Sequence, residues 1–118
     1  MWNVEFTDEF EGWWQQLDEH DQENIRTAVV KLQERGPTLP RPIADTLKGA
    51  RYPNMKELRP LGSTIRVLFA FDPRRTAILL LGGDKSGQWQ EWYEQMIPKA
   101  ERLYEIYLEE LRQEGELP

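Results

Sequence analysis

The sequence predicts an α+β fold: a twisted, mostly antiparallel sheet packed by helices, in the order β-α-α-β-β-β-α(-α). Three observations carry this. Ile65, Val67, Phe69 and Phe71 alternate with Arg66, Leu68 and Ala70, the period of a pleated strand. Thr76 to Leu81 is a short, nearly continuous apolar run, which suits a central strand covered on both faces. Only Asp72-Pro73-Arg74 and Arg75 separate the two, so they must pair antiparallel. The chain on either side keeps helical spacing, and one helical layer on one sheet is the economical way to bury both apolar faces.

Taken in order, Trp2, Val4 and Phe6 alternate with Asn3 and Glu5, a first strand. Thr7 is a good N-cap, and Asp8 and Glu9 follow in the first turn, where negative charge favours a helix. Phe10, Trp13, Trp14 and Leu17 make its apolar face. Asp18 or Asp21 caps a second helix with Ile25, Val29 and Leu32 on one face and Ala28 beside them, and Gly36-Pro37 stops it. Pro37, Pro40, Pro42 and Pro53 rule out a long helix between them, so this segment reads as an irregular connection tacked to the core by Leu39, Ile43 and Leu47. Met55 to Leu61 supplies a further strand, with Lys56 on the Leu58 face. After the last strand Gly82-Gly83 ends the sheet and Asp84–Gly87 forms a loop. From Gln88 onward Trp89, Trp92, Tyr93, Met96, Ile97, Ala100, Leu103, Tyr104, Tyr107, Leu108 and Leu111 recur at helical spacing. Pro98 either kinks one long helix or opens a second from its first turn, and a break near Ile97 is preferred. Gly115 and Pro118 end the pattern. One domain is expected over residues 1–118, with 88–118 as its C-terminal helical region.

The 118 residues include no cysteine and one histidine. Disulfides, thiolate chemistry and cysteine metal sites are thereby excluded, and no metal and no cofactor is expected. No apolar run is long enough to span a membrane, and the first residues lack a signal-peptide pattern, so a soluble cytoplasmic protein without membrane contact is expected. The net charge of −6 is unevenly placed: residues 46–85 carry eight Lys/Arg against three Asp/Glu, and both flanks are acidic. The positive charge thus sits on the sheet segment, where a local polyanion site fits. The plainer alternative is that the helices are acidic and the sheet is basic only by contrast.

Several familiar sites fall away. His20 stands between Glu19 and Asp21 at a solvated helix start. Gly83-Asp84-Lys85-Ser86 resembles the end of a phosphate loop, but Ile78 stands where its first glycine belongs. Ser63 lacks a nucleophile-elbow context, and Glu109-Glu110 lies on a charged helix. What remains is cationic: Arg51, Lys56, Arg59, Arg66 and Lys85. Arg66 is inside a strand, opposite Ile65 and Val67, where a long cation needs an anionic partner, solvent or a ligand. If the three strands are neighbours, Arg59, Arg66 and Lys85 converge. Guanidinium groups grip phosphate with fixed paired donors and could stabilise the extra charge of a phosphorane transition state. Lys85 or Tyr93 could move protons if its pKa were lowered. The plainer reading pairs Arg59 and Arg66 with Glu57, Asp72 or an acidic helix, leaves Lys85 solvated and puts Trp92 and Tyr93 in the core; the residues by themselves favour it.

Met55-Lys56-Glu57-Leu58-Arg59, Ile65 to Phe71, Ala77 to Leu81 and the Gly83-Asp84-Lys85 loop together resemble the HigB-like, phage-derived branch of the RelE/ParE toxin superfamily, and Trp89, Trp92-Tyr93, Ile97-Pro98 and Ala100-Glu101 extend the likeness. The resemblance implies a RelE-like fold and the toxin of a type II toxin–antitoxin pair. Ribonuclease members cut mRNA in the ribosomal A site by 2′-hydroxyl attack without a metal. Carried over by position, it implies Arg59 and Arg66 for phosphate and transition-state charge, Lys85 for the leaving group or backbone, Lys56 for positioning or proton transfer, and Tyr93 as a looser match. Lys48 and Arg51 join Arg59, Arg66 and Lys85 as expected RNA contacts. The implied partners are a small helix-turn-helix antitoxin, the ribosome and mRNA. An acidic total and a long C-terminal region depart from the compact, basic members. Two alternatives stand beside the ribonuclease: a ParE-like toxin that inhibits a topoisomerase by binding, and an inactive phage-derived interaction protein.

Overall fold

The computed structural model describes residues 1–87 and 89–117. Gln88, where the sequence opens the last helical region, and Pro118, part of its expected end, lie outside the described residues. The elements are β1 (Asn3–Phe6), α1 (Asp8–Gln15), α2 (Glu19–Arg35), a 3-10 turn (Gly36–Thr38), β2 (Ala44–Thr46), β3 (Met55–Leu58), β4 (Ile65–Phe71), β5 (Thr76–Asp84) and α3 (Trp89–Gln113). The strands form one sheet in the order β1-β5-β4-β3-β2, antiparallel except for β1 beside β5. The α+β reading therefore holds, with one added strand, β2, and three further differences in detail.

The first is layering. Helices cover both faces of the sheet, not one. Phe10, Ile25, Ala28 and Leu32 of α1 and α2 pack on Leu58, Ile65, Val67 and Phe69. Ala100 and Tyr104 of α3 pack on Met55, Leu68, Ala70 and Leu80. The alternation in β4 thus separates two apolar cores, and Arg66 falls on the α3 side between Ile65 and Val67 of the other core.

The second is the end of β5. Gly82 and Gly83 continue the strand to Asp84. A register shift after Leu68 makes Leu80 the extra residue, so that Leu80 and Leu81 both face α3. Beyond it the two glycines thin the sheet for two indoles: a Cβ on Gly82 would meet the Trp13 ring at 2.2 Å, and one on Gly83 would meet Trp92 Nε1 at 2.6 Å. Glycine here makes room for tryptophan within the strand.

The third is α3, which runs unbroken through Pro98. Pro98 and Glu94, whose carbonyl loses its donor there, are both exposed, so the lost hydrogen bond falls on the solvent side. The helix ends at Gly115 (φ +75) with the Glu116 amide on the Leu111 carbonyl (2.9 Å) and the Gly115 amide on Arg112 (3.1 Å), a Schellman cap. That cap delivers Glu116 to Arg74 (2.6 Å), which also pairs with the buried Asp72 (3.0 Å). Tyr107 donates to Asp72 as well (2.8 Å), so the β4–β5 turn is clamped to α3.

The helix starts follow the expected caps. Thr7 Oγ1 accepts from the Phe10 amide and donates to the Leu80 carbonyl, and Asp18, not Asp21, caps α2. The short strand β2 lies inside the segment read as irregular. It extends the sheet on β3, pairing Asp45 with Glu57.

Candidate functional site

The α3 face of the sheet carries charge at the end where β3 leaves and β4 enters. Met55 and Glu57 share one parity of β3, which Arg59 continues just beyond its end, and Arg66 takes the same face of β4 beside Gly83 of β5. Glu57 is the centre. Its side chain is 5 % exposed, and Oε1 accepts a hydrogen bond from the Tyr93 hydroxyl of α3 (2.6 Å). The same oxygen lies 3.3 Å from Arg59 Nε and 3.4 Å from Arg66 Nε. Arg59 Nη2 reaches Asp45 (3.3 Å), and Asp45 also holds Arg41 (3.3 Å). The result is an alternating chain, Arg41–Asp45–Arg59–Glu57–Arg66.

Arg66 is fixed a second way: Nη1 donates to the Ser63 and Ile65 carbonyls (3.0 and 2.8 Å). Its side chain is 13 % exposed. The Nε atoms of Arg59 and Arg66 are buried without a hydrogen-bond partner among the described residues, so both meet Glu57 by charge and not by aligned donors.

Above the chain opens a cleft of about 610 Å³, whose walls include Arg59, Lys85, Trp89, Tyr93, Lys48 and Glu101. Lys85 Nζ stands 5.4 Å from the Trp89 ring centroid. Burial first, then the Arg66 charge and more weakly Arg59, hold the Lys85 ammonium below its ordinary pKa, against the pull of Glu57. The Tyr93 phenol moves the other way: burial, then its hydrogen bond to Glu57 and the carboxylate charge, push it up to about 12. Burial opposes the Arg59 charge, and Glu57 and Asp45 more than offset it, so that guanidinium is held more firmly protonated.

The expected residues therefore separate. Arg59, Arg66, Lys85 and Tyr93 come together, and Lys48 stands on the cleft wall. Arg51 does not join them: its guanidinium pairs with Glu105 of α3 (3.2 Å), and its amide is held by Glu101. Lys56 pairs in register with Thr46 and Phe69 and takes the face of α1 and α2, away from the cluster. Its shared parity with Leu58 already pointed there. Asp45 and Glu57 are the residues sequence reasoning undervalued. Glu57 shares the parity of Arg59, which signals the pairing; Asp45 sat in a strand too short to detect.

Residues 12–105 match the family described as phage derived protein Gp49-like (DUF891). The chain belongs to this family. Among its relatives, a Mycobacterium tuberculosis protein named "Putative toxin HigB3" is 48% identical over 98 residues, covering 83% of this chain and 86% of that one. A second from the same organism, "Putative toxin HigB2", is 43% identical over 100 residues, 82% of this chain and 50% of its own length. The isolated Escherichia coli RelE toxin shares the fold, with a TM-score of 0.61 at 14% identity over 81% of this chain and 99% of that one. A chain of the RelB-RelE antitoxin–toxin complex from Methanococcus jannaschii superposes with a TM-score of 0.58 at 16% identity, over 75% of this chain and 99% of that one. The HigB-like resemblance read from β3 to α3 thus holds for this Gp49-like chain, and its fold is RelE-like. No helix among its described residues is long and apolar enough to cross a membrane.

Proposed function

We propose that this Gp49-like protein is the toxin of a type II toxin–antitoxin pair and cuts mRNA on the ribosome. One observation carries the reading furthest: Arg59, just after β3, and Lys85, just after β5, stand on the wall of one cleft, with Arg66 of β4 behind them on Glu57 and a neutral phenol beside. Its kinship to proteins named as HigB toxins supports the toxin half of the reading. A phosphodiester seated there meets Arg59 at the wall, with Arg66 adding charge from below. In the step proposed, the 2′-hydroxyl oxygen attacks the adjacent phosphorus and the bond to the 5′-oxygen breaks. Lys85, with its lowered pKa, donates a proton to the leaving 5′-oxygen, while the proton of the 2′-hydroxyl passes to solvent, which then reprotonates Lys85. Tyr93 acts as a hydrogen-bond donor, since a phenol raised to about 12 is not a base at neutral pH. Lys56 receives no part, because it lies on the other face. The proposed partners are a small helix-turn-helix antitoxin, the ribosome and mRNA, all in the cytoplasm.

A second reading, a toxin that acts by binding alone, draws on the cluster itself, where both arginines already face carboxylates. Induced expression of wild type beside Arg59→Ala and Lys85→Ala, with mapping of mRNA 5′ ends, separates them. Cuts in translated messages that vanish in the folded variants support the ribonuclease. Growth arrest without cuts overturns it in favour of binding.

A further inference from the structure

We infer that Glu57, backed by Asp45, is an internal counter-anion of the cleft: it holds Arg59 and Arg66 in position and competes with phosphate for their charge. This rests on the reading of the cleft as a phosphate site and adds a regulator to it.

The geometry is unlike that of a carboxylate whose task is only to satisfy an arginine. Such pairs are bidentate and aligned. Here one oxygen faces both guanidinium Nε atoms by charge, and only the hydroxyl of Tyr93 is aligned on it as a donor, at 2.6 Å. Both Nε atoms stay buried without a hydrogen bond among the described residues. The guanidinium pair is thus neutralised in charge while part of its donor capacity is left over. A second anion cannot reach the buried Nε atoms; it meets Arg59, 28 % exposed on the cleft wall, at the Nη edge beside Asp45, and is repelled by Glu57 as it approaches.

Arg66 does not depend on Glu57 alone for its orientation, since two backbone carbonyls hold Nη1. Glu57→Gln removes the negative charge and keeps an oxygen that can accept from Tyr93. Lys85 and the two arginines then face Asp45 as the one remaining carboxylate of the chain of ion pairs. Phosphate should bind more tightly. The arginine pair, now without the anion between its members, should sit less firmly for catalysis. A merely structural glutamate would not produce that split.

The test is a titration of inorganic phosphate into the full chain at low ionic strength, read on the Nε–H resonances of its arginines. Glu57→Gln should lower Kd about five- to tenfold, within the range for a partly screened unit charge. Glu57→Asp, which keeps the charge, should stay near wild type. In the cleavage assay Glu57→Gln should lower KM and kcat together. An unchanged or weaker phosphate affinity in folded Glu57→Gln overturns the inference. Should that variant not fold, Asp45→Asn poses the same question from the more exposed end of the chain: tighter phosphate supports the inference and unchanged or weaker binding overturns it. Arg59→Ala keeps the two ideas apart. If wild-type phosphate binding survives it, the phosphate-site reading itself is overturned, whatever Glu57→Gln does.

Discussion

Asp45 and Glu57 stand directly opposite each other in the β2–β3 ladder, two carboxylates on one face of the sheet. Like charges so placed repel. Arg59 resolves this by reaching both, with Nη2 at 3.3 Å from Asp45 and Nε at 3.3 Å from Glu57. The guanidinium is therefore structural before it is chemical.

Arg59→Ala should lower stability by about 2–4 kcal/mol, somewhat less than stranding one side of a fully buried ion pair, because the Arg59 side chain is 28 % exposed. Asp45→Asn added to it should restore part of the loss. Urea unfolding of the two single variants and the double variant measures the coupling. Additive effects would mean that the repulsion relieved by Arg59 is negligible.

Tyr93 gives a pH prediction. Its folded pKa is raised above that of an unfolded tyrosine, so its neutral form favours the fold. That contribution is complete below about pH 10 and is lost as pH rises through about 12. Tyrosinate absorbance should show a late-titrating phenol in native protein that Tyr93→Phe removes. Tyr107, raised by burial and by Asp72, should remain late-titrating in that variant. A native protein whose phenols all titrate near pH 10 would contradict the hydrogen bond to Glu57.

Gly82 predicts a packing defect. Ala at this position places a methyl 2.2 Å from the Trp13 ring, which must then shift out of the core between α1 and β5. A loss of about 1–3 kcal/mol is expected, the range for overpacking. Thermal unfolding measures it, and Trp13→Leu in the same chain should recover part by vacating the space.

These glycines also mark where the sequence stops being legible. Period and turn chemistry were enough for β4, β5 and the helix caps, because the constraints act within a few residues. Gly82-Gly83 reads locally as a strand end. Its actual role depends on Trp13 and Trp92, which no local pattern brings near. Arg66 announced itself as a cation inside an apolar strand, and the convergence of Arg59 and Lys85 followed from strand adjacency. Lys56 was legible too, since its parity with Leu58 assigns it to the opposite face; its charge in the basic segment and the family pattern drew it into the site. Asp45 was not, because three residues of β2 carry too little periodicity to register.

Pro98 misleads for a related reason, and it makes the last prediction. Proline is accepted readily at a helix start, so its presence argues for a break. In α3 the buried Ala100, Tyr104 and Leu111 continue the face begun by Trp92, Tyr93 and Met96. A break would abandon that register. Packing therefore overrides local preference, and the helix bears a missing hydrogen bond at the Glu94 carbonyl. Pro98→Ala should restore the donor and raise stability by about 1–3 kcal/mol, with Tm rising by roughly 4 °C for each kcal/mol. Both Glu94 and Pro98 line the cleft. Hydrogen exchange of the backbone amide that the substitution introduces distinguishes the two explanations of any result. A protected amide with raised Tm establishes that α3 was carrying the cost for its packing register. A protected amide without stabilisation would mean the helix had already relaxed around the proline.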